Sequence, residues 1–399
     1  MIIKLSTFCF LLILSTADFI LAQQVSVSTI QLTSPLSLDG LIVADDGTLY
    51  GAEGYNGSRI YKINMDGTSE VFASNLNGPI DMDFDSDGNL YVTTFNNTGV
   101  YKITPSGVVS RYATVSTGPS GIVLNRKTLD VFVSHFGFNP FSGNSVYRID
   151  SAGIVTTFVQ NAQLKSPVSL AIDDDTNLYT PNIGDSKLFK ITQNGNMSLL
   201  ATLPTSGAMF NIGHIEYANG KLYVTGNTGR HYLYEVELDG TYKVIAGTGI
   251  AGSQDGEGQS AQFSGPNGIA ASVTGDTLFI SELNSPSRIR IVALNKTTGI
   301  EDYKDINYNH YLNQNFPNPF NPTTILEFYL AVPSQTRLTV YNLLGEEIKV
   351  LIDGEIENGS HTVRWDGKDS NGNNVSSGIY FYSLKTGQNN ITKKMMLSK

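Results

Sequence analysis

Two histidines have the chemistry needed for proton transfer. His135 and His214 each lie in or beside a loop, next to a short run of apolar residues. A histidine titrates near neutral pH and can act as a general base or, in a lyase, as a general acid. Neither belongs to a His-x-x-x-His pair, and the sequence has no Gly-x-Ser-x-Gly elbow and no Gly-Lys-Ser/Thr phosphate loop. Both are therefore candidate catalytic residues, with surface hydrogen bonding as the alternative role.

The composition argues against nucleic-acid binding and against cysteine chemistry. The chain has 26 Lys and Arg residues against 36 Asp and Glu residues, a net charge of −10, and its basic residues form no cluster. Phosphate backbones bind to clustered positive charge, so we expect no nucleic-acid partner. The single cysteine, Cys9, lies in the apolar N-terminal segment. A mature chain without it has neither thiol catalysis nor disulfides, and large cores must hold its domains together.

Residues 1–22 have the pattern of a secretory signal peptide. Lys4 precedes the apolar run 8–14, and Leu21-Ala22 supplies a cleavage site with a small residue. The run is too short to span a bilayer, which takes about 20 apolar residues. No later stretch is long and apolar enough to do so. We therefore expect an exported mature chain with no transmembrane segment.

A unit of four short strands recurs through the body of the sequence. The second strand of each unit carries an aromatic residue: Tyr50, Tyr91, Phe132, Tyr179, Tyr223 and Phe279. The successive spacings are 41, 41, 47, 44 and 56 residues, which is typical of the blades of a β-propeller. We predict an all-β fold in which residues 23–300 form a six-bladed β-propeller. The sixth unit lacks a fourth strand, and we expect residues 25–32 to supply it and close the ring.

One end of such a ring is the expected binding surface. The loops between second and third strands and the loops that lead into first strands lie at this end, which we call the loop rim. The two longest insertions, 136–144 and 248–264, fall in these loops, and loops of irregular length commonly carry function. The candidate ligand-binding residues of the rim are Asp81, Asn182, Asp185, Arg230, His231 and Glu282.

The repeat resembles the NHL-repeat and gluconolactonase-like (senescence marker protein-like) propellers, best over residues 246–270 and 78–92. Gluconolactonase-like relatives hold a divalent cation on the ring axis with Glu, Asn and Asp side chains. The resemblance implies Asp39 and Asn267 as matching positions. Oxygen ligands from two adjacent blades would begin a calcium or magnesium site. The Glu-Gly-Pro opening of that family is absent, and a role as turn residues at the start of strands is the alternative.

The C-terminal residues have a different composition. Three prolines fall within residues 315–324, and strand-like runs separated by Gly- and Asn-containing turns follow them. The pattern predicts a small immunoglobulin-like β-sandwich at residues 313–399, joined to the propeller by a linker at residues 301–312.

Separated motifs in this C-terminal region resemble the type A C-terminal sorting domain of the type IX secretion system of Bacteroidetes-like bacteria. They are the run 315–324, Trp365-Asp366-Gly367, and the closing run 393–397. The resemblance implies that residues 313–399 engage the type IX secretion machinery. It also implies export across the outer membrane, to the medium or the cell surface.

The sequence thus favours a non-catalytic, exported propeller that binds an unidentified surface ligand or protein partner on its loop rim. The alternative is an enzyme: a metal-dependent lactonase or ester hydrolase of the gluconolactonase type, or a propeller lyase. Such an enzyme would use Asp39 and Asn267 with a cation, together with a histidine of the rim.

Overall fold

The fold is all-β in the computed structural model of the protein. The structure describes residues 25–137, 142–285, 287–294, 311–312, 315, 317–330, 333–357, 359–386 and 389–398. Within these ranges the one helical element is the 3-10 turn Gly258–Ser260. Among the described residues there is no helix with the length and apolar character to span a bilayer.

Residues 25–294 form antiparallel sheets in a propeller-like arrangement, and the described residues contain six of them. Sheet 1 has the strands Leu41–Val43, Leu49–Ala52, Ile60–Ile63 and Ser69–Ala73. Sheet 2 has Pro79–Phe84, Leu90–Thr94, Gly99–Ile103 and Val109–Thr114. Sheet 3 has Pro119–Asn125, Asp130–His135, Ser145–Ile149 and Val155–Gln160.

The other three sheets repeat this pattern. Sheet 4 has Ala171–Ile172, Leu178–Pro181, Lys187–Ile191 and Met197–Thr202. Sheet 5 has Ile212–Ala218, Lys221–Gly226, Tyr232–Val236 and Tyr242–Ala246. Sheet 6 has Pro266–Ala271, Thr277–Glu282, Arg288–Leu294, Val25–Gln31 and Gly256–Glu257. The first strand of each sheet contacts that of the next, and the first strand of sheet 6 also contacts sheet 1, so the ring is closed.

The N-terminal strand closes the ring, as the sequence predicts. Val25–Gln31 runs antiparallel to Arg288–Leu294, and Val25 lies opposite Leu294. Val25 and Val27 are buried in one core cluster with Phe263 and Leu294. Alternate side chains of a strand point to opposite faces, which explains why these two valines face the core while Ser26 between them does not.

The closing strand gives a direct test of ring closure. Val27→Asp places an unpaired carboxylate in this core, and we expect it to lower the free energy of unfolding by about 3 kcal/mol or more. Ser28→Asp introduces the same charge on the next residue, which is partly exposed, and should cost much less. Urea unfolding followed by far-ultraviolet circular dichroism measures both. Equal losses in the two variants would contradict the buried register of this strand.

Side-chain hydroxyls join the sheets near the centre of the ring. Thr225 Oγ1 on sheet 5 donates to the carbonyl oxygen of Asn267 on sheet 6 at 2.6 Å, and Ser281 Oγ donates to that of Asp39 at 2.8 Å. The first strands approach closely at these joints. A Cβ atom at Gly268 would lie 1.9 Å from the carbonyl oxygen of Asp39, so this position requires glycine.

The insertion 248–264, which we predicted as a loop of the rim, also contributes to a sheet. Part of it, Gly256–Glu257, pairs with the N-terminal strand and becomes a fifth strand of sheet 6. Asp255 Oδ1 accepts hydrogen bonds from Arg290 at 2.8 Å and from Thr29 at 2.7 Å. The guanidinium of Arg290 is fully buried. The insertion therefore covers the outer edge of the closing sheet, which protects an exposed strand edge.

The C-terminal region is a small two-sheet β-domain. One sheet has the strands Tyr311–Leu312, Thr324–Leu330 and Gly359–Trp365. The other has Glu347–Ile356, Ser334–Tyr341, Gly378–Thr386 and Asn389–Leu397. Its core contains Trp365, Phe320, Phe328 and Tyr382, all nearly inaccessible to solvent. The prediction of an all-β chain with a propeller and an immunoglobulin-like domain is confirmed.

Candidate functional site

The first strands of the sheets bring polar side chains together at the centre of the ring. The Asp81 carboxylate accepts the backbone N–H of Ile122 on sheet 3 at 3.3 Å. It also lies 3.5 Å from Ser169 Oγ, at the start of sheet 4, and 3.6 Å from His214 Nδ1 on sheet 5. Contacts to three other sheets are possible only near the axis. Asp81, predicted as a rim residue, thus lies in a strand that lines the centre.

His214 is held between two carboxylates from other sheets. Its Nε2 lies 3.3 Å from Asp39 Oδ1 on sheet 1, and its Nδ1 lies 3.6 Å from Asp81 Oδ1 on sheet 2. The imidazole is buried, with 3% of the side chain exposed. Burial alone lowers the pKa of His214, but the charges and hydrogen bonds of Asp81 and Asp39 outweigh it and raise the pKa to about 10. The ring is therefore an imidazolium at neutral pH, which suits an acid rather than a base.

Asn267 extends this cluster through a contact with Asp39, the residue that the resemblance paired with it as a cation ligand. Its Nδ2 donates to Asp39 Oδ1 at 2.6 Å, and its Oδ1 accepts from Asn227 Nδ2 at 2.8 Å. Asp39 Oδ1 therefore faces two donors, an amide and an imidazolium. We call Asp39, Asp81, His214 and Asn267 the central cluster.

The side chains of the central cluster, in this arrangement, do not form a set of ligands for a divalent cation. Calcium and magnesium bind oxygen ligands, six or more for calcium. Asn267 turns its amide nitrogen toward Asp39, and the His214 imidazolium already balances one of the two carboxylate charges. Within the described ranges, no three His, Cys, Asp or Glu side chains are arranged as metal ligands. The predicted calcium or magnesium site stays a prediction.

Two further acidic residues, which were not among the predicted site residues, lie next to the cluster. Asp83 follows Asp81 by two residues, and Glu216 follows His214 by two residues. Because side chains two residues apart on a strand point to the same face, Asp83 shares a face with Asp81, and Glu216 shares a face with His214. Burial, aided by nearby carboxylates, raises the pKa of Asp83 to about 6 and that of Glu216 to about 8. The signal was available in the repeat, because these residues occupy matching positions of sheets 2 and 5.

Several predicted rim residues hold the loops in place. Asn182 is buried, accepts the N–H of Lys165 at 2.9 Å and donates to Asp185 Oδ1 at 3.0 Å. Asp185 lies 3.9 Å from the ammonium groups of Lys165 and Lys187. Both predicted residues thus make contacts inside one loop region of sheet 4.

The predicted residues on sheets 5 and 6 form a second such group. Glu282 is buried, accepts the N–H of Ser264 at 2.6 Å and lies 3.4 Å from Arg290. His231 Nδ1 accepts the N–H of Gly265 at 3.1 Å, and burial lowers the pKa of His231. Arg230, the preceding residue, is partly exposed. These contacts tie the loop of sheet 5 to the start of sheet 6.

His135 lies outside the central cluster. Its Nε2 is 3.2 Å from the carbonyl oxygen of Thr117, and its ring centroid is 5.9 Å from that of Tyr147. Burial lowers the pKa of His135, so the ring is neutral at pH 7. The two candidate catalytic histidines therefore differ in charge and have different contacts, and no contact joins them.

Apolar side chains on the loop rim were also missed. Tyr55, Phe95 and Phe136 stand in the loops after the second strands of sheets 1, 2 and 3, in edge-to-face contact with each other. Other loops of the same end expose Met209, Phe210 and Leu283. In the sequence, these apolar residues are distinguished by their position in the predicted rim loops and by no other pattern.

A known protein family matches the C-terminal domain. Residues 318–390 match the family model of the FlgD Ig-like domain. No curated protein matches the chain.

Solved structures resemble the propeller. A protein of unknown function from Bacteroides thetaiotaomicron has a TM-score of 0.57 at 16% identity, covering 68% of this chain and 76% of that one. An auxiliary nutrient binding protein from the same organism has a TM-score of 0.56 at 14% identity, covering 70% and 78%. The gluconolactonase XC5397 from Xanthomonas campestris has a TM-score of 0.51 at 14% identity, covering 67% and 90%. At such identities the likeness concerns the fold. The structural neighbours of this chain are NHL- and gluconolactonase-like β-propeller proteins, and its C-terminal residues match an FlgD Ig-like domain.

Proposed function

We propose that this chain is an exported six-bladed propeller of the NHL and gluconolactonase-like type that binds a ligand or protein partner on its loop rim. The contrast between the centre and the rim carries the proposal. At the centre, the buried His214 imidazolium contacts the carboxylates of both Asp39 and Asp81, so these polar groups are already engaged with one another. At the rim, Tyr55 is 45% exposed and Met209 is 60% exposed. Exposed apolar side chains in the loops at one end of a fold favour binding there.

Export is the second half of the proposal. The secretory pattern of residues 1–22 supports it, as do the C-terminal motifs that resemble a type IX sorting domain. A compact β-domain with its own core follows the propeller, as a sorting module requires. The neighbouring nutrient binding protein is consistent with a binding role for a propeller of this shape.

Truncation after residue 312 tests the export step. In a bacterium with a type IX system, we expect the full chain on the cell surface or in the medium and the truncated chain inside the outer membrane. Surface biotinylation of intact cells and fractionation measure both. Resistance of the retained chain to protease would show that its propeller is folded. A truncated chain that reaches the surface as well as the full chain would overturn the role of residues 313–399.

The enzyme alternative has one specific observation in its favour. His214, Asp39 and Asn267 come together at the centre of the ring, and a buried imidazolium is a competent general acid. A lactonase or lyase of this kind would lose turnover in His214→Asn. A panel of lactones and cyclic esters, assayed with and without added calcium or magnesium, tests it. Turnover that His214→Asn abolishes would replace the binding proposal with the enzyme.

A further inference from the structure

Three aromatic side chains form a continuous row on the loop rim. The ring centroids of Tyr55 and Phe95 are 5.6 Å apart at an interplanar angle of 75°, and those of Phe95 and Phe136 are 5.5 Å apart at 65°. These are favourable edge-to-face contacts. Because the three residues come from consecutive sheets, the row crosses two joints between sheets. We call Tyr55, Phe95 and Phe136 the aromatic row.

The aromatic row is anchored at one end and exposed at the other. Phe136 is buried, Phe95 is partly exposed, and Tyr55 is 45% exposed. The backbone beneath Tyr55 is also fixed, since Asn96 Nδ2 donates to its carbonyl oxygen at 2.7 Å. Tyr55 therefore presents a ring surface to solvent from a supported loop. A preorganised ring loses little conformational freedom when a ligand stacks on it.

The carboxylates around the aromatic row are paired with basic side chains. Beside Tyr55, Glu53 accepts from the Arg59 guanidinium in a contact of 2.5 Å. Farther around the ring, Asp185 lies near two lysines, and Glu282 lies near Arg288 at 3.3 Å. Arg230 belongs to sheet 5, not to the sheets that carry the row. A ligand on the row therefore meets no uncompensated carboxylate there, and this disfavours a cationic ligand. The exposed Arg111, which donates to Thr98 Oγ1 at 2.9 Å, is a cation beside the loop of Phe95, so the test below includes an anionic probe.

Polar groups border the row as well. Asn96 is exposed and follows Phe95 in the same loop; one N–H of its amide holds the Tyr55 carbonyl, and the amide has a second N–H and an oxygen to offer. Asn97, the next residue, uses its amide oxygen within the loop, where it accepts from the N–H of Gly99 and from Thr94 Oγ1. An amide side chain offers both donors and an acceptor to hydroxyl groups. A surface of aromatic rings beside amides matches a ligand with an apolar C–H face and hydroxyl edges. Pyranose sugars have this chemistry, whereas charged polymers do not.

We propose that the aromatic row binds a neutral saccharide, with a sugar ring stacked on Tyr55 and its hydroxyl groups on the neighbouring Asn96 amide. This inference rests on the proposed function, because it names the ligand class of the same loop rim. One exposed stacking ring and a few hydrogen bonds support weak binding, with a Kd on the order of 0.1–1 mM for a short oligosaccharide.

Calorimetric titration of the full mature chain with neutral hexaoses tests the inference. The probes are the hexaoses of β-1,4-glucan, α-1,4-glucan, β-1,3-glucan and β-1,4-xylan. We expect at least one to bind, and Tyr55→Ala to weaken it about 5- to 10-fold, the scale of one aromatic contact. Tyr55→Phe keeps the ring and should stay within about twofold. Tyr242→Ala is the matched control, since Tyr242 is 43% exposed on the outer strand of sheet 5.

The outcomes separate this inference from the proposed function. Hexaose binding that Tyr55→Ala and Tyr242→Ala leave equally intact would overturn the aromatic row as the site. Binding of polygalacturonate or of a cationic peptide, but of no neutral hexaose, with loss in Tyr55→Ala would overturn the ligand class and keep the rim as the binding surface. If none of the neutral hexaoses binds the wild-type chain, the inference of a neutral saccharide fails, whatever the other probes do. An unchanged melting temperature of Tyr55→Ala shows that it is folded.

Discussion

Replacing His214 with alanine is expected to lower the free energy of unfolding of the propeller by about 3–5 kcal/mol, the scale for removing one partner of a buried ion pair. The His214 imidazolium lies 3.3 Å from Asp39 and 3.6 Å from Asp81. Its removal leaves two carboxylates facing each other across a buried space. Urea unfolding followed by far-ultraviolet circular dichroism measures the loss.

The chain carries its own internal control for this experiment. Trp365 is the single tryptophan, and it is buried in the core of the C-terminal domain. Its fluorescence therefore reports on that domain, and its transition midpoint should stay unchanged in His214→Ala. A shift in the tryptophan transition equal to the shift in circular dichroism would mean that the variant affects the whole chain.

A second variant identifies the cause of the loss. Asp81→Asn in the His214→Ala background removes one of the two uncompensated charges, and we expect it to recover part of the stability. Asp81→Asn alone should be destabilising, since it weakens the hold on the imidazolium. If the two losses simply add in the double variant, the charge cluster is not the reason for the effect.

Replacing Glu216 with glutamine is expected to stabilise the protein at alkaline pH. The folded-state pKa of Glu216 is raised from 4.5 to about 8, first by burial and then by the charges of Asp83 and Asp81. The folded state thus binds this proton more tightly than the unfolded state. The associated stability is present below pH 4.5 and is lost as pH rises toward 8. Glutamine is neutral at every pH, so the variant should not show this loss.

The neighbouring groups titrate in the same direction. The pKa of Asp83 is raised to about 6 by burial, and that of His214 is raised to about 10, where Asp81 and Asp39 outweigh the effect of burial. Each contributes stability at low pH that fades as pH rises through its folded-state value. The wild-type protein should therefore lose stability steadily between pH 5 and pH 9, and Glu216→Gln should flatten the profile below pH 8.

Denaturant unfolding at several pH values measures this effect. At pH 8.5 we expect Glu216→Gln to exceed the wild type by on the order of 2 kcal/mol. One pKa unit corresponds to about 1.4 kcal/mol, and partial solvent access lowers the sum. Glu70→Gln is the control, because Glu70 is exposed on the outer strand of sheet 1. Parallel profiles for wild type and Glu216→Gln would show that Glu216 is ionised throughout.

The sequence by itself determined the architecture of this protein. The recurrence of Tyr50, Tyr91 and their counterparts predicted the repeated sheets, because each unit buries a face only against its neighbour. The missing fourth strand of the last unit predicted that the N-terminal residues close the ring, and they do. These features follow from local patterns of apolar and aromatic residues, which can be compared from one repeat to the next along the sequence.

The tertiary structure decided which polar residues meet. Asp39 and His214 are 175 positions apart, and Asp39 and Asn267 are 228 positions apart, yet each pair is in hydrogen-bond contact. Ring closure brings them together, and no local pattern encodes the distance across the ring. The roles of Asn182 and Glu282 were hidden for a different reason: their partners lie within one sheet and its loops, and the strand pattern does not show which loop side chains meet. The pKa values of Asp83 and Glu216 likewise depend on burial, which exists only once the six sheets have closed around them.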